Sequence, residues 1–221
     1  MARNKTVAFE PAHQFETAEQ QYRASSMGMW VFLVTEIMFF GGLFTGFAVY
    51  NGLYGDLFRQ ASHTLSILLG SINTAVLIGS SLTMALAVRA GKMGKKGQII
   101  ATLIATMILG TVFLGIKAYE YHHKWVDHLI PGAHFAFEGL DGMAEKNIQL
   151  FFSFYFVMTG FHALHMVIGM GLMIWLLVKA SRNQFSTEYS TPIEMVGLYW
   201  HFVDLVWIYL FPILYLIGRH G

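Results

Sequence analysis

Between Met195 and Gly218 the chain carries a single charged side chain, Asp204. Twenty-four residues at about 1.5 Å each reach about 36 Å, enough to cross a bilayer core of about 30 Å. Asp204 then lies near mid-membrane, with His201 one turn away on the same helix face. A carboxylate at that depth costs several kcal/mol unless it is paired, hydrogen-bonded or protonated. It must therefore face protein, and a chain built this way needs partners inside the membrane.

The same pattern recurs along the sequence. Met27–Tyr50 holds one charge, Glu36, and Thr64–Val88 holds none. Gln98–Tyr119 closes with Lys117, followed by Glu120, and Ile148–Val178 has no Asp, Glu, Lys or Arg. The fifth span, Glu194–Gly218, opens with Thr191-Pro192-Ile193-Glu194, which reads as a capping box with Pro at the first helical position. Pro212 is expected to kink that helix. The sequence thus predicts an all-α polytopic membrane bundle of five transmembrane helices over residues 27–221, preceded by a cytoplasmic polar tail, 1–26. The tail has no apolar core and is not read as a cleavable signal.

Orientation follows from the basic residues outside the spans. Arg3, Lys5, Arg23, Arg89, Lys92, Lys95, Lys96, Lys179 and Arg182 fall on one side, and Arg59, Lys124, Lys146 and Arg219 on the other. Nine against four puts the N-terminus in the cytoplasm and the C-terminus outside, in the periplasm of a bacterial inner membrane. The loop 121–147, with His122, His123, His128 and His134, is the largest outer feature.

Polar residues gather in one layer of the bilayer. Counted from the cytoplasmic ends, Glu36 lies at about 14 Å, Asp204 at about 15 Å, His165 at about 20 Å and Asn73 at about 22 Å. His162 and His165, three apart, share a face, so Glu36, Asn73, His162, His165, His201 and Asp204 are the candidate intramembrane network. Such a network serves a proton relay or ligand site, or only fixes helix packing through interhelical hydrogen bonds. Gly42 and Gly46 form a small-xxx-small pair, and Gly41, Gly110, Gly115 and Gly160 add close-contact points. The loop histidines lack zinc spacing and read as a solvated face.

Composition narrows the chemistry. Only 12% of residues are charged and the formal net charge is +1, which gives no basic surface for nucleic acid. With zero cysteines, thioether-linked haem, iron–sulfur clusters and thiolate-bridged copper are excluded. A b-type haem would have to use His165 with His201, the one plausible couple among three intramembrane histidines. A small proton-coupled transporter using Glu36 and Asp204 is the other reading from residues alone.

The string Trp200-His201-Phe202-Val203-Asp204-x-Val206-Trp207 closely resembles the last helix of cytochrome c oxidase subunit III. Phe156-Val157-x-Thr159-Gly160-Phe161-His162-x-Leu164-His165-x-x-x-Gly169 resembles the helix before it. Thr35-Glu36-x-x-Phe39-Phe40, Asn73-Thr74-x-Val76-Leu77 and Lys117-Ala118-Tyr119-Glu120-Tyr121 are similar to further segments of that family, in order across roughly residues 27–218. The resemblance implies a short, five-helix bacterial form of an accessory subunit of the haem–copper oxidases. In that family subunit I carries the haems and copper, subunit II receives electrons, and subunit III binds no metal. Subunit III supports proton uptake into subunit I, protects it during turnover and holds phospholipid in a cleft. The common form has seven helices, and the two missing here form one wall of that cleft. Lys179 and Arg182, at the cytoplasmic face, are placed to meet lipid phosphates. Expected partners are subunit I within the membrane, subunit II, the small subunits, phospholipid and a respiratory supercomplex, with no nucleic acid. The same motifs serve relatives in quinol oxidases and beside nitric oxide reductases, so they leave the electron donor open.

Overall fold

In the computed structural model, residues 13–132, 135–137, 142–185 and 189–218 are described. Arg3, Lys5, His134 and Arg219, used in the charge and loop arguments, lie outside them. Helix α1 spans Ala18–Leu53, α2 Gly55–Ser62, α3 Ile67–Lys92, α4 Lys96–Val126, α5 Met143–Ser181 and α6 Thr191–Phe211. A π-helical turn, Pro212–Leu216, continues α6. Five of these elements are long and apolar enough to cross a membrane: α1, α3, α4, α5 and α6 with its π turn. The five-span bundle expected from the sequence is therefore the fold.

Several ends differ from expectation. Helix α1 starts at Ala18 rather than Met27, because Thr17 and Gln20 cap it. Thr17 Oγ1 accepts from Gln20 N at 3.1 Å, and Gln20 Oε1 accepts from Glu16 N at 2.8 Å. The Thr-x-x-Gln signal was present in the sequence and lay in the part read as tail. At α6 the cap is one residue earlier than expected: Ser190 is the N-cap, and its hydroxyl donates to Glu194 Oε1 at 2.7 Å. Helix α5 runs 39 residues, about 58 Å, so its ends project well beyond the hydrocarbon. The short α2 buries Phe58 and Ala61 while Asp56 and Arg59 point to solvent.

Helix α6 is the axis of the bundle. It packs on α1, α3 and α5, and more than half of its apolar window is buried, against 17% for α1. Lipid tails are as apolar as leucine, so helices in a membrane associate through close packing and hydrogen bonds rather than through a hydrophobic drive. Both are visible along α6. The Trp200 ring fills notches at Gly169 of α5 and Gly110 of α4, where an added Cβ would come to 2.9 and 3.1 Å of it. Gly197 admits Val88, and Gly70 of α3 admits Phe211 and Tyr215. Trp200 Nε1 donates to Ser80 Oγ and Trp207 Nε1 to Thr74 Oγ1, each at 3.1 Å, which pins α6 antiparallel to α3 at two levels two turns apart.

The glycines singled out in the sequence divide. Gly110 is a close contact, and an added Cβ would come to 3.4 Å of Phe154 at Gly46 but only to 4.0 Å of the Tyr121 hydroxyl at Gly160. Gly41, Gly42 and Gly115 face open space within this chain, so they do not pack its own helices. The rule about small residues finds surfaces that permit approach without saying which helix takes them.

Proline 212 acts as expected in kind. Lacking an N–H, it cannot continue the α-helical ladder, and the backbone widens into a π turn. That turn carries Tyr215 into the bundle, where it is fully buried.

Candidate functional site

The six predicted network residues separate into two places. On the flank of α1 and α5, Glu36 Oε2 lies 3.2 Å from His165 Nε2. Within this chain the partner of Glu36 is therefore the fourth span, α5. Nδ1 of His165 donates to the Phe161 carbonyl at 2.8 Å, since a carbonyl can only accept. The contact pairs the carboxyl with the imidazole at mid-membrane depth, where an unpartnered polar group is costly. Phe40 packs edge-on to the imidazole at 5.5 Å, and the Tyr199 hydroxyl donates to the His165 carbonyl at 2.9 Å. Glu36 and His165 line a groove of about 590 Å³ whose other walls are apolar, including Phe32, Phe39 and Phe161.

The remaining four lie inside, against α6. His201 Nδ1 and Ser81 Oγ are 2.7 Å apart. Asp204 lies one turn further along α6, and neither of its carboxyl oxygens has a hydrogen-bond partner among the described residues. His162 is 1% exposed and lies against Trp207, ring centroids 5.3 Å apart, with Phe113 edge-on at 5.4 Å. Asn73 is fully buried beside Thr74, the acceptor of the Trp207 indole. His162 and His165 are only loosely on one face: three helical steps leave about 60° between them, and the boundary between core and groove falls in that gap.

A third polar site escaped the sequence reading, which treated Lys117 and Glu120 as the closing turn of a span. Both are 4% exposed. Lys117 Nζ is 3.0 Å from each of Glu120 Oε2, Tyr155 OH and Tyr215 OH, and the Tyr215 hydroxyl donates to Glu120 Oε1 at 2.6 Å. Four aromatic rings, Tyr121, Tyr155, Trp207 and Tyr215, have centroids within 5.7 Å of the ammonium. Attraction by four ring faces and an i, i+3 carboxylate holds the cation in place of water. The clue in the sequence was a lysine and a glutamate three apart at the edge of an apolar run. Their tyrosine partners, 38 and 98 residues away, are set by packing alone.

At the basic end, Lys179 Nζ stands over the Trp175 ring, 4.2 Å from its centroid, and Arg182 caps α5. Lys96 Nζ donates to the Ser181 carbonyl and Lys92 pairs with Glu194 at 3.5 Å. Among the described residues, no group of three or more His, Cys, Asp and Glu is gathered as metal ligands would be.

Comparison with known proteins agrees with this architecture. The family described as "Cytochrome c oxidase subunit III" matches residues 3–219. The cytochrome c oxidase subunit 3 of Corynebacterium diphtheriae is 34% identical over 194 residues, covering 87% of each chain. The cytochrome bo(3) ubiquinol oxidase subunit 3 of Pseudomonas aeruginosa is 29% identical, covering 96% of this chain and 93% of its own. A probable quinol oxidase subunit 3 of Staphylococcus epidermidis is 30% identical, covering 94% and 96%. With five membrane-spanning helices and a family match over nearly its whole length, the chain belongs to the cytochrome c oxidase subunit III family, the third subunits of haem–copper oxidases that use cytochrome c or quinol.

Proposed function

We propose that this chain is the non-redox subunit of its oxidase, binding neither haem nor copper and serving the oxygen-reducing subunit I from within the membrane. The family match across residues 3–219 carries this reading. The fate of the intramembrane histidines supports it. Both ring nitrogens of His165 are committed, to Glu36 and to the Phe161 carbonyl, and His201 Nδ1 is committed to Ser81. His165 therefore has no free ring nitrogen for the His165–His201 couple that a b-type haem would need.

Its task is to support proton uptake and to prolong the working life of subunit I. Subunit II and the small subunits complete the complex, which docks further into a respiratory supercomplex. The N-terminus is cytoplasmic and the C-terminus periplasmic in a bacterial inner membrane, by the charge asymmetry of the sequence. Lys179 and Arg182 take phospholipid phosphate at the cytoplasmic face. Cytochrome c is the proposed donor, and quinol is the alternative that the names of two of the three relatives keep open.

The test is to strip the chain from the purified oxidase and follow oxygen consumption over many turnovers, from mildly acid to alkaline pH. The expected result is near-native initial activity at low pH, an earlier fall as pH rises, and shortened turnover. Immediate and complete loss at every pH would mean that the chain carries chemistry itself.

A further inference from the structure

Inside the bundle, three side chains from three helices are buried beyond nine-tenths and have no hydrogen-bond partner among the described residues. They are Asn73 of α3, through both amide atoms, His162 of α5, through both ring nitrogens, and Asp204 of α6, through both carboxyl oxygens. Trp207 relates them: His162 lies against its ring, Asp204 precedes it by one turn of α6, and Asn73 precedes in sequence the threonine that accepts its indole N–H. Unmet buried polar atoms are costly in proteins and more so in hydrocarbon, so these six call for a partner.

The side chains cannot relieve one another in their present rotamers, and the surrounding surface offers little. Phe113 and Trp207 present ring faces and edges to His162. Thr74 is already the acceptor of the indole, and its own hydroxyl donates to the Gly70 carbonyl. Ser81 is shared with His201. What satisfies both donors and acceptors at several angles in a small space is water, and the buried waters of proteins typically make about three hydrogen bonds each to groups otherwise left unpaired.

We propose that Asn73, His162 and Asp204 form an internal water site around Trp207, a hydrated pocket between α3, α5 and α6. Its basic-side limit is the Ser81–His201 pair, and its outer limit is Lys117, whose ammonium lies over the same indole at 5.3 Å. The site is distinct from the Glu36–His165 groove, and it does not depend on which donor the oxidase uses. It makes Asp204 a carboxyl held by water rather than by a fixed counter-ion.

Two measurements on the assembled oxidase decide this. The first is electron cryo-microscopy at a resolution that shows ordered water elsewhere among the helices. Water density within hydrogen-bond reach of the Asp204 carboxyl and of Asn73 or His162 is expected. Direct pairing among these side chains, or with a residue of a neighbouring subunit, and no water between them, would overturn the proposal. The second is infrared spectroscopy with oxygen-18 water as probe. A band of weakly bonded internal water that shifts with the isotope is expected, and it should vanish in both Asp204→Leu and Asn73→Leu. A water band indifferent to both substitutions would equally overturn it. If the variants fail to assemble, the density of the unaltered complex settles the question alone.

Discussion

Removing Lys117 should be far more damaging than removing the charge of its partner. In Lys117→Met the side-chain volume is nearly kept, but Glu120 loses one of its two donors and is left with the Tyr215 hydroxyl at 2.6 Å. The negative faces of the surrounding rings, which attract the ammonium, repel a lone carboxylate. Breaking a buried ion pair from one side costs about 3–5 kcal/mol, or about 10²- to 10⁴-fold in the folded ratio. In Glu120→Gln, by contrast, Lys117 keeps both tyrosine oxygens and all four rings, and the loss should be about 1–3 kcal/mol. The double variant leaves no unpaired charge and should recover at least about 2 kcal/mol relative to the sum of the singles. Reversible unfolding in mixed detergent–dodecyl sulfate micelles, followed by tryptophan fluorescence, measures this, with Trp207 as a reporter 5.3 Å from the ammonium. If Glu120→Gln proves the more harmful single change, or if the two losses simply add, the cage does not hold the cation as described.

Further outcomes follow from other contacts. Gly169→Ala places a Cβ 2.9 Å from Trp200 and 3.1 Å from Tyr199, and should destabilise by about 1–3 kcal/mol, whereas Gly115→Ala meets nothing within 4 Å and should be neutral or gain up to about 1 kcal/mol in the same unfolding assay. Glu36→Gln keeps a donor for His165 Nε2 and should assemble with the oxidase, while Glu36→Lys sets an ammonium against the imidazole and should be absent from the purified complex by immunoblot. The isolated chain should retain no stoichiometric haem or copper by absorbance and metal analysis. A reporter fused after Gly221 should be active only in the periplasm, by the basic asymmetry of the sequence.

The membrane itself made most of the fold legible. A segment without water must satisfy its own backbone, so long charge-poor runs can only be helices, and all five were visible with ends misplaced by several residues. Helix α2 was missed because eight residues with Phe58 and Ala61 three apart give too short a period to stand out beside the spans. The Glu36–His165 contact joins two residues that were both flagged, but depth alone ranks no partner among four spans. The lysine cage was missed for a different reason. Lys117 and Glu120 lie where a helix ordinarily leaves the membrane, and only the π turn after Pro212 brings Tyr215 back to cover them.

Among the carboxyls of the membrane-spanning helices, Glu36, Glu120 and Asp204 are accommodated by different chemistry. Glu36 meets an imidazole beside an apolar groove; Glu120 pairs with a caged ammonium; neither oxygen of Asp204 has a hydrogen-bond partner among the described residues. The first two each have a basic side chain of this chain beside them. Asp204 alone has no such closure, and it lies on α6, the helix that α1, α3 and α5 all touch. A substitution there would therefore be felt along the axis of the bundle, at the indole that α3, α4 and α5 share, rather than at the lipid-facing edge. That makes Asp204, not the more accessible Glu36, the residue whose substitution should propagate furthest through the fold.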